Sequence, residues 1–429
     1  MTLPLIGFAG LTHLGLVYGA SALAKGFRVV AFDPDAQLVE RLNSGQLPVL
    51  EPGLDDLYRE HGAKVEFSTD ERALQKADIV FISGDVATDD SGRSDLTRTN
   101  ALIASATRQL RSEALLVVLC QVPPGFTRTL AVPLERRFYQ VETLVFGQAV
   151  ERALHPERFI VGCADPERDL PATYQALLSA FGCPVLRMGY ESAELSKIAI
   201  NCCLVASVSV ANTLAELCER IGAAWPEIVP ALKLDRRIGQ YAYLAPGLGI
   251  AGGNLERDLA TVIRFANEHG TDSGVVRAWV QNSTHRRDWA AHTIREALLD
   301  AKPEATVAVW GLAYKENTHS VKNSPSLATI AQLPGTRLKL HDPVVSASAV
   351  NHANAEAATD PLAAARDADA LMILTPWPQY RSIAPAEIAR ALRGRIVLDP
   401  YGVLDLKAAL AAGLDLYTLG RPPLRGNRG

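Results

Sequence analysis

At 429 residues the chain is too long for one ordinary hydrophobic core, so two or three domains are expected. Its formal charge of −4 gives no global field for nucleic acid, and an anionic ligand has to be held by local arginines, lysines and helix N-termini. The six cysteines, Cys120, Cys163, Cys183, Cys202, Cys203 and Cys218, show neither a CxxC pair nor zinc-finger spacing, so reduced, packed thiols and no metal site are expected. The N-terminus lacks a basic region before Leu3. The most apolar internal run, residues 198–211, is shorter than a membrane span and is bracketed by Lys197 and Asn212. These features read as a cytoplasmic protein with neither a membrane nor a nucleic-acid partner.

From residue 3 to about 185, short β-rich runs at 5–9, 28–32, 78–83, 115–120 and 158–161 alternate with helical patterns. Such alternation predicts a parallel sheet covered by helices on both faces. Residues 191–221 follow without a glycine or proline and are closed by Gly222, which predicts one long helix, with further helices to about residue 300. From Thr306 the alternation resumes, with strands at 307–310, 337–340, 370–374 and 395–398. Two phrases recur in order: A-F-D-P at 31–34 echoes L-H-D-P at 340–343, and A-D-I-V-F-I at 77–82 echoes A-D-A-L-M-I at 368–373. The expected fold class is α/β, two Rossmann-like doubly wound domains joined by a long central helix. The expected divisions are 1–190, a helical connector and dimerisation region at 191–300, and 301–429.

After the first strand comes Gly10-Leu11-Thr12-His13-Leu14-Gly15, which aligns with G-x-G-x-x-G except that Thr12 replaces the middle glycine. That glycine lets a pyrophosphate approach the backbone at the helix N-terminus, and a side chain there adds bulk. Asp33 ends the second strand, where a carboxylate accepts hydrogen bonds from a ribose diol and repels a 2'-phosphate. Together they favour NAD over NADP. On these residues alone the alternative is a plain strand-to-helix turn with Asp33 as a loop cap.

Residues 246–258 read P-G-L-G-I-A-G-G-N-L-E-R-D, a glycine-rich run opening a helical pattern. This run resembles the catalytic loop of the nucleotide-sugar dehydrogenases, the UDP-glucose and GDP-mannose dehydrogenase family, whose pattern is P-G-x-G-aromatic-G-G-S-C-F-P-K-D. The likeness continues through L-N-S-G at 42–45, E-P-G-L at 51–54, G-R-S-D-L at 92–96, Val122-Pro123 with Gly125, P-E-R at 156–158 with Val161-Gly162, and A-E-L-S-K-I-A-I-N at 193–201. It covers nearly the whole chain. The resemblance implies NAD as cofactor, with Gly10, Thr12, His13, Leu14, Gly15, Asp33, Val86, Gln121 and Lys322 around it. Gln121 stands for the threonine of the family's S-T-V-P phrase, and Val86-Ala87 for its T-P.

Lys197 and Asn201 stand one turn apart on an otherwise apolar helix, so they project together, and Asn212 follows at nearly the same angle. A lysine and two amides aligned in this way need polar partners, unless the lysine stem packs while its head reaches solvent. The resemblance implies that Lys197 and Asn201 contact the sugar and the developing charge, and that Asp258 works with the lysine as the acid/base pair. Glu142 matches the first glutamate of the family's P-E-F-L-R-E phrase. Two other family positions are changed. The cysteine that carries the thiohemiacetal and thioester of a four-electron oxidation falls on Asn254, and the second, hydrolytic glutamate falls on Phe146. An amide has its nitrogen lone pair delocalised and cannot serve as the covalent nucleophile. Hydride transfer is therefore expected to be retained without thioester chemistry. Asn254 also reads as a helix N-cap, alone or with a contact to a sugar hydroxyl. Cys202 and Cys203 lie off the Lys197 face and are poor substitutes as nucleophile.

D-R-R-I-G at 235–239 is similar to the family's D-x-R-I-G, which implies that Arg237 reaches the nucleotide sugar across a dimer, with Tyr243, Leu244, Gly247 and Gly249 lining sugar and base. G-L-A-Y-K at 311–315 and N-S-P at 323–325 offer Lys315 and Lys322 as phosphate contacts, with solvated surface the alternative for Lys322. Trp377 in T-P-W-P and the Gly420-Arg421 pair match the family too, without a readable chemistry. The expected function is NAD-dependent oxidation of a nucleotide sugar, a UDP-hexose, by a homodimer, stopping after one hydride transfer. The acid reached through an enzyme-bound hydrate without thioester, a redox-neutral rearrangement with tightly held NAD, and a catalytically silent nucleotide-sugar-binding or regulatory protein are the alternatives.

Overall fold

The computed structural model describes residues 3–88 and 93–428, so Gly92 of the G-R-S-D-L phrase lies outside the described residues. By internal contacts the chain divides into unit one, residues 1–200, and unit two, residues 201–429. Unit one is built on β1 (Leu5–Ala9), β2 (Arg28–Phe32), β3 (Val65–Ser68), β4 (Ile79–Ile82), β5 (Leu115–Val118), β6 (Arg137–Gln140), β7 (Phe159–Cys163) and β8 (Val185–Gly189). They lie in the order β8-β7-β6-β5-β4-β1-β2-β3, with β6 and β7 antiparallel and the other pairs parallel. All four residues of β4 and of β5 are buried, as continuous apolar runs require when helices cover both faces. The connection order reverses between β1 and β4, and the crevice beyond the strand ends there is where open sheets of this kind take ligands.

The helix after β1, α1 (His13–Ala24), is buried along almost its whole length. A Cβ on Gly15 would stand 2.1 Å from the Gly10 carbonyl oxygen, so only glycine lets the helix start this close to the turn. Two further helices carry groups of interest, α2 (Thr97–Gln109) and α3 (Tyr190–Ile221), the latter 32 residues long as the sequence predicted. By length and composition α3 is apolar enough to cross a membrane. Its polar residues are nevertheless held by protein partners: Lys197 by Glu142 in unit one, and Asn201 by Asp258 and Asn212 by the Gly247 amide in unit two.

Unit two carries β9 (Thr306–Trp310), β10 (Arg337–His341), β11 (Ala355–Ala357), β12 (Ala370–Ile373), β13 (Ile396–Leu398) and β14 (Asp415–Tyr417). Their order is β11-β10-β9-β12-β13-β14, all parallel. The recurring D-P phrases are the same turn built twice. In unit one the Gly10 amide donates to Phe32 O at 2.9 Å and the Leu11 amide to Asp33 Oδ2 at 2.8 Å. In unit two Gly311 donates to His341 O at 2.8 Å and Leu312 to Asp342 Oδ2 at 2.7 Å. Both glycines take a left-handed φ, +101° and +97°.

Asp342 accepts further bonds from the amides of Ala313, Val344 and Val345 and from Trp377 Nε1 at 3.0 Å. Burial alone would raise its pKa, but the backbone donors together hold the carboxyl below the usual carboxylate range. A depressed folded-state pKa contributes stability that is present above the unfolded value, near 4, and is lost as pH falls through the folded one. Asp342→Asn is expected to destabilise unit two by roughly 2 kcal/mol at neutral pH. Urea denaturation should show the gap from the parent protein closing below about pH 4; a gap that does not depend on pH would assign the loss to shape, not charge.

Candidate active site

In unit one the G-x-T-H-x-G turn closes tightly. Thr12, the N-cap of α1, donates its hydroxyl to Ser83 O at 3.2 Å and accepts from the Asp85 amide at 2.9 Å, so its extra bulk is tied to the segment after β4. The first turn of α1 has no acidic residue and no side-chain cap, which leaves its amide ends suited to a phosphate. His13 is buried, with Nε2 2.8 Å from Glu51 Oε1 and its ring 4.2 Å from that of Phe146. Glu51 also accepts from the amides of Gly147 and Ala149, so the carboxylate of the E-P-G-L phrase ties the cofactor turn to the Phe146 loop. Leu14 is buried, while Val86 and Gln121 are half-buried in the loops after β4 and β5. Asp33 is fully buried; besides Leu11, it accepts from the Asp35 amide and from Arg98 at 2.8 Å. Turn, helix N-terminus and carboxylate fit a dinucleotide in arrangement, with Arg98 as an addition.

Two pairings anchor the first turns of α3 within unit one. Glu194, wholly buried, accepts from the amides of Gly125 at 2.5 Å and Thr127 at 2.7 Å, and so fixes the V-P-P-G loop on the helix. Burial raises its carboxyl above the usual range despite those bonds. One turn on, Lys197 Nζ lies 2.8 Å from Glu142 Oε1, and both side chains are less than one-fifth exposed, at 12% and 17%. The structure thus joins two of the residues singled out from sequence, as an ion pair sheltered from bulk water.

In unit two Asn201 Nδ2 donates to Asp258 Oδ2 at 2.5 Å, and Arg257 Nε lies 3.3 Å from Asp258 Oδ1. Asp258 is buried in the first turns of α4 (Asn254–His269). The N-cap of that helix is Gly253, at φ +95°, with its amide donating to Glu256 Oε2 at 2.9 Å. This corrects the expectation of Asn254 as the N-cap: it is the first helical residue and is exposed, because the left-handed cap geometry falls on the preceding glycine. The glycines also admit neighbours. A Cβ on Gly252 would stand 2.8 Å from the Tyr314 ring, and one on Gly253 would stand 3.1 Å from the Lys322 stem. Lys315 holds its ammonium 5.8 Å from the Tyr314 ring centre. Asn212 Oδ1 accepts from Gly247 and Ser283 Oγ from Ile250, pinning the loop ahead of α4.

Burial, with Asp258 nearby, pushes the Cys202 thiol up to about 11, so it is protonated at neutral pH and is a poor nucleophile. Arg237 is exposed and bonded only within its own turn among the contacts of the described residues, to Asp235, while Tyr243 is about half exposed, at 52%. Sequence reasoning passed over Glu51, Glu194, Arg98 and Ser283. The first two sit inside quoted phrases, whereas nothing local marks the last two.

The paired Rossmann-type sheets, the phosphate-ready turn, the sheltered Lys197–Glu142 pair and the buried Asn201–Asp258 pair define a dinucleotide-dependent oxidoreductase. Family comparison names it further. Residues 5–181 match the NAD binding domain of the UDP-glucose/GDP-mannose dehydrogenase family, 191–284 its central domain and 308–406 its UDP binding domain. The chain belongs to that family and is an NAD-dependent oxidoreductase of the nucleotide-sugar dehydrogenase type, acting on CH-OH. It is 29% identical over 439 aligned residues to a UDP-glucose 6-dehydrogenase of Bacillus subtilis, covering 98% of this chain and 94% of that one. It is also 29% identical to the UDP-glucose 6-dehydrogenase of Pseudomonas aeruginosa, covering 96% of each. Among solved structures, a UDP-glucose dehydrogenase from the archaeon Pyrobaculum islandicum superposes with a TM-score of 0.84 at 28% identity, covering 95% of this chain and 96% of that one.

Proposed function

We propose that the protein oxidises a UDP-linked hexose with NAD and that oxidation stops after a single hydride transfer. The observation that carries this reading is Asn254, exposed at the start of α4 where the resemblance expects a nucleophilic cysteine, with the nearby Cys202 thiol kept protonated. The UDP-glucose 6-dehydrogenase activity named for the relatives supports a UDP-hexose. When bound, NAD supplies the hydride acceptor. The chain supplies the proton handling: Lys197, oriented by Glu142, and Asp258, oriented by Asn201, serve as the acid/base pair that relieves the sugar hydroxyl of its proton. Such retained machinery favours an enzyme over a silent binding protein.

We assign residues 1–190 to the cofactor, 191–300 to connection and dimerisation, and 301–429 to the nucleotide sugar, with Lys315 and Lys322 at its phosphates. Gln121 and Val86 border the cofactor, and Gly247 and Gly249 the sugar. A homodimer in the cytoplasm is the proposed form. It is supported by the exposed stripe Val210, Leu214, Leu217 and Ile221, which recurs at helical spacing on α3, and by the protruding Arg237 and Tyr243. The reading is tested by incubating pure protein with NAD and a panel of nucleotide sugars and weighing the products. A product two hydrogens lighter than its sugar is expected, whereas free uronic acid would overturn the truncated reaction.

A further inference from the structure

The carboxylate expected to read the adenosine ribose is already occupied in unit one. Asp33 has no exposed side-chain surface; Oδ1 accepts from the Asp35 amide at 3.1 Å, and Oδ2 accepts from the Leu11 amide and from Arg98, each at 2.8 Å. The two amides belong to the turns that define the fold at this corner and cannot leave without rebuilding them. Arg98 is different. It is a side chain from the first turn of α2, 48% exposed, and only one of its five N–H donors is engaged with Asp33 among the described contacts.

We infer that Arg98 and Asp33 together set the choice of dinucleotide, and that this chain binds NADP as well as NAD. The inference rests on the assignment of this turn to the cofactor. A lone carboxylate beside the ribose excludes a 2'-phosphate by repulsion in a partly dry pocket. A guanidinium 2.8 Å away cancels that charge at the same spot. Its planar fork also has further donors of the geometry that phosphate oxygens accept. With the bare ribose of NAD, the same side chain swings toward solvent and leaves Oδ2 to the diol. One movable cation therefore serves both cofactors, and the discrimination expected from Asp33 alone is removed.

The test is a binding titration, read by calorimetry and independent of turnover, with NAD and NADP on the full chain and on Arg98→Gln and Arg98→Lys. For the unaltered protein the two dissociation constants should lie within about tenfold of each other. Arg98→Gln should weaken NADP about tenfold or more relative to NAD, because it removes a charge-assisted bond to phosphate, while Arg98→Lys should keep most of the NADP affinity. NAD binding as tight as in the parent protein or tighter in Arg98→Gln, where no guanidinium competes for Oδ2, shows that the turn is still folded. A NAD-to-NADP ratio that stays within about threefold of the parent value in Arg98→Gln overturns the inference and leaves the cofactor assignment standing. Failure of the unaltered chain to bind NAD at all overturns both.

Discussion

Lys197→Ala and Asp258→Asn are each expected to lower turnover about a hundredfold or more while leaving NAD affinity nearly unchanged. On the proposed reading each residue handles a proton and neither holds the NAD. Lys197 spends its charge on Glu142 at 2.8 Å in a sheltered position, and Asp258, fully buried, is gripped by Asn201 at 2.5 Å. A buried, hydrogen-bonded carboxylate and a sheltered ammonium are costly to keep unless something uses them, and the conversion of an alcohol to a carbonyl needs a proton acceptor. Initial-rate measurements with calorimetric NAD titrations separate the two roles. Near-normal turnover in either variant would show that another group is the base.

The second large effect concerns stoichiometry. The unaltered protein is expected to release one NADH per sugar, or none net if hydride returns in a redox-neutral rearrangement, and no acyl-enzyme should be trapped at Asn254, Cys202 or Cys203 by quenched mass spectrometry. An aldehyde without a thiolate lacks the covalent route to a second oxidation. Asn254→Cys examines the same point from the other side. Position 254 is exposed at the first helical residue, where a thiol gains from the positive end of the helix. On the proposed reading the neighbourhood that would hydrolyse a thioester remains altered, since Phe146, the residue that the resemblance sets at the second glutamate's position, lies with its ring tilted against His13. The variant should therefore accumulate a covalent adduct more readily than it releases acid. Two NADH per sugar with free acid from the unaltered protein would point instead to oxidation of a bound hydrate.

The long apolar runs and the long helix were readable because their patterns are local. β1, β2, β4, β5, β7, β9, β10, β12 and β13 fall where alternation and β-branched runs placed them, and α3 ends at Gly222 as its composition required. The strands that escaped are β3, β6, β8, β11 and β14. β3, β8, β11 and β14 are the sheet edges, with runs too short or too mixed to stand out, and β6 begins at Arg137, whose guanidinium is buried against the Leu130 carbonyl and the Tyr190 ring. Composition penalises a buried arginine, and only the tertiary partners explain it. The site divides in the same way. Lys197, Asn201, Asp258 and Glu142 were visible through phrases, but their pairings, Lys197 with Glu142 and Asn201 with Asp258, were not. Arg98 carried no local signal at all, because its meaning depends on a carboxylate that lies 65 positions away in the chain.

The twice-built turn has been put to two uses by the side chain that closes it. On Asp33 the closure is a guanidinium on a half-exposed stem, a latch that faces solvent. On Asp342 it is the indole of Trp377, only 2% exposed and packed into the core of unit two, a rivet. The two sheets share the order of their first six strands and the opening of the loop, yet the carboxylate is closed by a half-exposed side chain in one and by a buried one in the other. The internal repeat is therefore one of backbone and not of access: the same turn is closed by a solvent-facing side chain in one sheet and by a core side chain in the other.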